Sequence, residues 1–174
     1  LSCMKIILQT PRLLLREIEL SDTEAMFELN SDPEVMKYTG DVSFESLEQT
    51  KNFIQNYPDY KKNGFGRNAV ILKETGEFLG WCGLKKLPDG TVDMGYRFLK
   101  QHWNKGYATE SAKAMIDFGF NHYGLTEIIG NAAIENYPSI RVFEKLGMSY
   151  ANTRDYDGLG RAVLYNIVKE KWKT

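Results

Sequence analysis

After Pro11, Leu13-Leu14-Leu15-Arg16-Glu17-Ile18 forms a dense apolar run, short enough for a buried strand. Ser21-Asp22-Thr23-Glu24 then supplies an N-cap with Glu three residues on, the capping-box spacing. Ala25, Met26 and Leu29 follow at helical steps, and Ser31-Asp32-Pro33 stops that helix. Residues 46–62 predict another, with Leu47, Thr50, Phe53, Ile54 and Tyr57 on one stripe and Pro58 ending or kinking it. The stretch 34–45 shows no clear period.

The middle of the chain changes to a period of two. Asn68-Ala69-Val70-Ile71-Leu72 and Phe78-Leu79-Gly80-Trp81-Cys82-Gly83-Leu84 read as strands joined by the turn Glu74-Thr75-Gly76-Glu77. Leu87-Pro88-Asp89-Gly90 is a second turn signal. Beyond it, Val92, Met94, Tyr96 and Phe98 alternate with Asp93, Gly95 and Arg97. The three strands predict an antiparallel meander.

A long helix is predicted over about 106–123 from Ala108, Ala112, Met115, Ile116, Gly119 and Tyr123, with Gly124 at its C-terminal end. Ile128, Ile129, Ala132 and Ile134 suggest a strand, and Asn136 with Pro138 opens a helix that Gly147 closes. Residues 148–157 and 161–169 read as a final hairpin around Asp157-Gly158-Leu159-Gly160. The order is β-α-α-β-β-β-α-β-α-β-β. A strand, a long helix and a strand in succession make a βαβ unit with parallel strands, so the sheet is mixed.

Composition narrows the class. The chain has 174 residues, 43% hydrophobic and 26% charged, which suits one domain over 1–174 with a core of its own. Leu1-Ser2-Cys3 are read as added ahead of a native Met4, and residues 1–9 as outside the ordered domain. Lys and Arg total 22 against 23 Asp and Glu, a net charge of -1. That argues against direct nucleic-acid binding, which draws on a basic excess. Two cysteines, Cys3 and Cys82, make no disulfide framework, and no apolar run reaches membrane-spanning length. No signal-peptide pattern opens the chain. A cytoplasmic protein is expected, without a membrane partner.

The segment with the clearest chemistry is Gln101-His102-Trp103-Asn104-Lys105-Gly106-Tyr107-Ala108-Thr109-Glu110, at the start of the longest helix. Unpaired amides and a partial positive charge gather at a helix N-terminus. Gly106 and Ala108 let a bulky anion approach, and Lys105 adds charge, so a phosphate or pyrophosphate suits the place. A glycine needed only for a tight turn is the competing reading.

Trp103-Asn104-Lys105-Gly106-Tyr107-Ala108-Thr109-Glu110 resembles the acetyl-CoA pyrophosphate loop of the GNAT acetyltransferase superfamily, in the branch that includes ribosomal-protein N-terminal acetyltransferases. Thr10-Pro11-Arg12-Leu13-Leu14-Leu15-Arg16 is similar to that branch's opening strand, and Met94-Gly95-Tyr96-Arg97-Phe98-Leu99 to its central strand. Asn136-Tyr137-Pro138-Ser139-Ile140-Arg141-Val142-Phe143-Glu144-Lys145-Leu146-Gly147-Met148 is similar to its second coenzyme-side helix.

The resemblance implies an α/β (α+β) fold, a mixed, mostly antiparallel central sheet of about seven strands flanked by about four helices. It implies acetyl transfer from acetyl-CoA, as cosubstrate, to the primary amine of a peptide N-terminus or a small molecule. The backbone of Arg97, Phe98 and Leu99 would pair with the pantetheine. Asn104, Lys105, Gly106, Tyr107, Ala108 and Thr109 would hold the pyrophosphate, with Asn104 also expected to cap the helix, and Asn136 would contact the arm. Phe143 stands where many members carry a tyrosine that protonates the leaving thiolate. Ser139, one helical turn earlier, is the nearest hydroxyl in the motif and the substitute.

Attack on a thioester needs a neutral amine, so a base is expected near the acceptor. Asp93 on the central strand is the leading candidate, with Glu17, Glu135 and His102 behind it, the last read as a surface residue. His122 reads as structural and Cys82 as a buried thiol. The two histidines share no metal-ligand spacing, so no metal site is expected. Tyr38 and Trp81, with Trp103, are candidates for the acceptor pocket. Two other readings compete: a non-catalytic acyl-CoA-binding module, suggested by Phe143, and a nucleotide-binding α/β protein, disfavoured because no P-loop sequence is present. Oligomeric state is open, with a homodimer allowed.

Overall fold

The computed structural model describes residues 4–173, so Leu1-Ser2-Cys3 lie outside the described residues. Eight strands form one sheet in the order β1-β2-β3-β4-β5-β6-β8-β7. They are β1 (Ile6–Gln9), β2 (Leu13–Glu17), β3 (Arg67–Leu72), β4 (Phe78–Lys86), β5 (Val92–Phe98), β6 (Glu127–Ala133), β7 (Ser149–Tyr156) and β8 (Gly160–Val168). The helical segments are α1 (Thr23–Leu29), α2 (Pro33–Met36), α3 (Leu47–Gln55), α4 (Asp59–Asn63), α5 (Tyr107–Asn121) and α6 (Tyr137–Lys145). The strand beyond the expected seven is β1, which pairs antiparallel with β2 where the sequence offers no element.

The predicted meander is present as β3-β4-β5, and the final hairpin as β7-β8. The first helix starts differently. A 3-10 turn over Leu20–Asp22 leads into it and carries the capping box, Glu19 with Asp22 and not Ser21 with Glu24, and Arg16 holds Asp22 inward in a fully paired fork. Residues 46–62 divide into α3 and α4 around Pro58, which lacks the N–H a continuous helix would need.

Each face of the sheet is covered. On one, α5 lays Ala112, Met115, Ile116 and Phe120 against Val70, Leu84, Met94 and Ile128, all nearly inaccessible to water. Each large side chain there contributes roughly 1.5–3 kcal/mol by burial. On the other face, Met26 and Leu29 of α1 and Val35 of α2 enclose Trp81 and Leu99, with Phe53 and Ile54 of α3 beside them.

One pairing sets the position of the site. β4 and β5 pair along their whole length, from Gly80↔Phe98 to Lys86↔Val92. β5 and β6 run parallel and share a single register pair, Asp93↔Ile129. Beyond it the two strands diverge, leaving a cleft between Tyr96-Arg97-Phe98 and the end of β6.

Candidate active site

The start of α5 lies at the mouth of this cleft. Asn104 and Gly106 both take left-handed backbone conformations, with φ of 62° and 81°. A left-handed Asn is tolerated and a left-handed Gly is unstrained. The amides of Asn104 through Thr109 find no acceptor among the described residues, and the first intrahelical bond runs from Glu110 N–H to the Gly106 carbonyl. Successive free amides around left-handed residues make a concave donor set for an anion. Gly106 is the N-cap and no side chain caps the helix, which corrects the expectation that Asn104 does so.

Arg12, which the sequence reading left without a role, holds this loop from behind. Its Nη1 donates to the Lys105 carbonyl at 2.9 Å, its Nε to Glu110 Oε1 at 2.8 Å, and its guanidinium lies 4.6 Å from the Tyr107 ring centroid. Thr10 Oγ1 donates to the second oxygen of Glu110 at 2.6 Å. Burial pushes the Glu110 carboxyl up, but the bonds from Thr10 and Arg12 outweigh it and hold it below the usual range. The signal for this brace was in the sequence only as two separate motifs, about 100 residues apart.

His102 is buried, not at the surface as expected, and packs edge-on to Tyr107 beneath the loop. Trp103 turns its indole N–H onto the Phe98 carbonyl at 2.8 Å. That bond takes one of the two lone pairs of the Phe98 carbonyl. The Leu99 amide is already committed to the Leu79 carbonyl at 3.0 Å.

Across the cleft, Asn136 caps α6 by accepting from the Ser139 amide at 3.4 Å, so its oxygen is engaged and its amide nitrogen remains as a donor. Tyr96 reaches from β5 and donates its hydroxyl to Ser139 Oγ at 3.2 Å. Burial pushes the Tyr96 phenol up to about 12, so it remains a neutral donor. With its lone pair engaged, the Ser139 hydroxyl can direct its own hydrogen elsewhere. Tyr96 lies within the central-strand segment Met94–Leu99, yet its pattern marks it only as an apolar-face strand residue. Phe143 is buried against Gly130, where a Cβ would approach its ring to 2.8 Å.

On the opposite face of β5, Asp93 stands at the point of divergence. Its Oδ1 accepts from the backbone and side-chain nitrogens of Asn131 at 3.2 and 3.0 Å. Burial pushes its carboxyl up to about 6, against the pull of Asn131, Lys85 and Arg67. A carboxyl in that range can take a proton near neutral pH. Its Oδ2 and the edge of Trp81 lie 3.7 and 3.5 Å from where a Gly95 Cβ would be. Trp81 and Asp93 thus flank Gly95 on the same face of the sheet. Tyr38 is half-buried just beyond α2, with Lys37 Nζ 4.9 Å from its ring centroid.

Residues 37–46 close over this face. Arg97 Nη2 meets Asp41 Oδ2 at 2.6 Å, and its other terminal nitrogen donates to Asn30. Gly40 touches the β7-β8 turn so closely that a Cβ there would lie 2.5 Å from the Gly158 carbonyl oxygen. The remaining candidates have other tasks. Glu17 pairs with Lys5 at 2.9 Å, His122 stacks on Phe118, and Glu135 is exposed beyond β6. Cys82 is fully buried and its thiol is pushed up to about 12 by burial, which leaves it inert.

Comparison with known proteins gives the same assignment from outside. The Acetyltransferase (GNAT) domain family matches residues 12–149. An uncharacterised N-acetyltransferase, p20 of Bacillus licheniformis, is 34% identical over 95% of this chain and 97% of its own. A GNAT-family acetyltransferase structure from Bacillus anthracis superposes with a TM-score of 0.82 at 33% identity, covering 95% of this chain and 99% of the other. The ribosomal L7/L12 α-N-protein acetyltransferase RimL shares the fold, with a TM-score of 0.80 at 14% identity over 95% of this chain and 94% of its own. An amide-lined helix start, a cleft opening beside the central strand and these matches have one meaning: the chain belongs to the GNAT acetyltransferase family, and it is an acetyl-CoA-dependent N-acetyltransferase.

Proposed function

We propose that this protein acetylates a primary amine, of a peptide N-terminus or a small molecule, by direct attack within a ternary complex, with Asp93 as base and Ser139 as the group facing the leaving sulfur. Acetyl-CoA supplies the activated acetyl group. The amides from Asn104 to Thr109, with Lys105 beside them, suit its pyrophosphate, and the Phe98 N–H and Asn136 nitrogen suit its arm.

Asp93 takes the proton of the ammonium form, aided by a carboxyl poised near 6. Ser139 turns its hydrogen toward the sulfur because Tyr96 already donates to its oxygen. Tyr96 is a positioning residue, since a buried phenolate would be costly. Holding two reactants side by side supplies much of the rate, so no covalent enzyme intermediate is needed. The observation that carries the reading is the placement of Asp93 at the one register pair between β5 and β6, where the two faces of the sheet meet through the cleft.

Initial rates with acetyl-CoA and a panel of amines, followed by thiol release, test it. Intersecting lines in the double-reciprocal plot are expected. Parallel lines would mean an acetylated enzyme and overturn direct attack. A cytoplasmic setting, with free amines and reduced thiols, suits this chemistry.

A further inference from the structure

Arg67 is a cation fixed in place without an anion. Its amide donates to the Tyr57 hydroxyl at 2.8 Å, and its carbonyl accepts from the Tyr60 hydroxyl. Burial pushes both phenols well above their usual range, so both stay neutral hydrogen-bonding groups at any pH the protein meets. The Arg67 guanidinium lies over Trp81, 4.5 Å from the ring centroid. Stacking uses the face of a guanidinium and leaves its edge donors free.

The other arginines near the site differ. Arg16 grips Asp22 with both terminal nitrogens, Arg12 grips Glu110, and Arg97 is shared between Asp41 and Asn30. Among the described residues, the Arg67 guanidinium has neither a carboxylate partner nor a hydrogen bond. The two tyrosines fix the Arg67 backbone and the indole underlies its guanidinium, whose edge the protein itself does not use.

Its position gives that edge a purpose. Arg67 pairs with Gly83 and Gly83 with Gly95, so all three share the face that carries Asp93. Trp81 links them, with Arg67 over its ring and its edge beside Gly95 and Asp93. Two further cations border the same ground. Lys85 sits directly opposite Asp93 in the ladder, and Arg154 reaches to 3.4 Å from the oxygen of Asn131, the residue that holds Asp93. The other acids of this region are engaged, Asp41 by Arg97 and Asp89 by Thr91. A polyamine would bring more positive charge into a surface already rich in it.

We propose that the acceptor is a small amino carboxylate, its carboxylate received by the edge of Arg67 and its amine presented to Asp93. The proposal rests on the reading of Asp93 as the base, and it narrows the acceptor within that reading. A carboxylate and a guanidinium fork match in two parallel hydrogen bonds, which fix orientation as well as charge. Tyr57, Tyr60 and Trp81 then act as specificity residues through Arg67 alone.

Binding tests the subsite without requiring turnover. The protein saturated with CoA is titrated calorimetrically with a panel of N-acetyl-L-amino acids and with the matching N-acetyl-L-amino acid amides. At least one acid should bind tenfold or more tightly than its amide. Arg67→Met, which keeps the apolar stem, should bring that ratio close to one, and Arg67→Lys should restore part of it. Acids and amides that bind alike across the panel, or a full ratio in Arg67→Met with native thermal unfolding, would overturn the proposal. Turnover then adds a second readout with free amino acids, their amides, spermidine and short peptides as acceptors. Highest kcat/KM with spermidine or with a peptide would also overturn it. Absence of transfer to every amine, with the acid-to-amide ratio intact, would strike Asp93's role and leave the Arg67 subsite standing.

Discussion

The two sides of β5 solve their problems by different means. On the α5–α6 side, the site proposed for the anion is concentrated in six consecutive backbone amides, 104 to 109, and draws little on side chains. On the other side, chemistry is assembled from residues far apart in the chain. Arg97 meets Asn30 and Asp41, and Asp93 meets Asn131, across 67, 56 and 38 residues. The first side depends on local backbone conformation and the second on tertiary placement. Damage to the first should therefore appear as lost coenzyme affinity, and damage to the second as altered acceptor kinetics.

The largest effect is expected from Gly106→Glu. It forces a side chain into a left-handed position and puts bulk and negative charge beside the amides, within 3.3 Å of Arg12 Nη2. Acetyl-CoA affinity, measured by calorimetry, should fall at least ~100-fold, since charge repulsion and strain each cost on the order of 1–3 kcal/mol. Affinity within twofold of wild type would remove the loop from the site.

Asp93→Asn comes next and probes the other side. Turnover should drop roughly 10²–10³-fold with CoA affinity unchanged, the usual range for a lost general base. The rising limb of the wild-type pH–rate profile, centred near the carboxyl's value of about 6, should vanish. The same shift has a stability consequence of definite sign. The native carboxyl binds its proton more tightly than the ordinary value of 3.8, so stability is fullest below about 4 and declines as pH rises through about 6. With allowance for the part of the side chain that water still reaches, the loss is about 1–2 kcal/mol. Thermal unfolding across pH 4 to 8 should show this decline in the wild type and a flatter profile in Asp93→Asn.

Ser139→Ala should cost about tenfold in kcat, the scale of one hydrogen bond to a developing charge. Tyr96→Phe should follow it at about half that effect in logarithmic terms, because it only orients Ser139. A Tyr96 effect larger than that of Ser139 would reverse the two roles. The smallest effect is expected from Arg12→Ala, a severalfold loss of CoA affinity. The bonds it removes are partly exposed and support the loop without touching the ligand.

The same division explains what was legible beforehand. The meander, the long helix, the parallel pair and the loop 103–110 all follow from short-range pattern, and each is present. Strand β1 has too little periodicity over Ile6–Gln9 to declare itself, and its half-exposed edge position explains why. Asn104 looked like a cap because its type caps helices, but Gly106 at the helix start freed it to turn left-handed. His102 looked exposed because polar neighbours surround it in sequence, whereas packing on Tyr107 buries it. Arg12, Tyr96 and Arg67 escaped because the fold sets their partners: Arg12 meets Glu110 and Tyr96 meets Ser139 far along the chain, and Arg67 meets Tyr57, Tyr60 and Trp81 across element boundaries.

The single register pair between β5 and β6 also has a mechanical meaning. The sheet is two leaves riveted at Asp93 and Ile129, with Asn131 tightening the rivet through the Asp93 carboxylate. Beyond that pair no ladder bond ties the Phe98 end of β5 to β6, so the facing backbone there keeps hydrogen-bonding capacity for a guest, while the Asp93 carboxylate sits where the two leaves are joined.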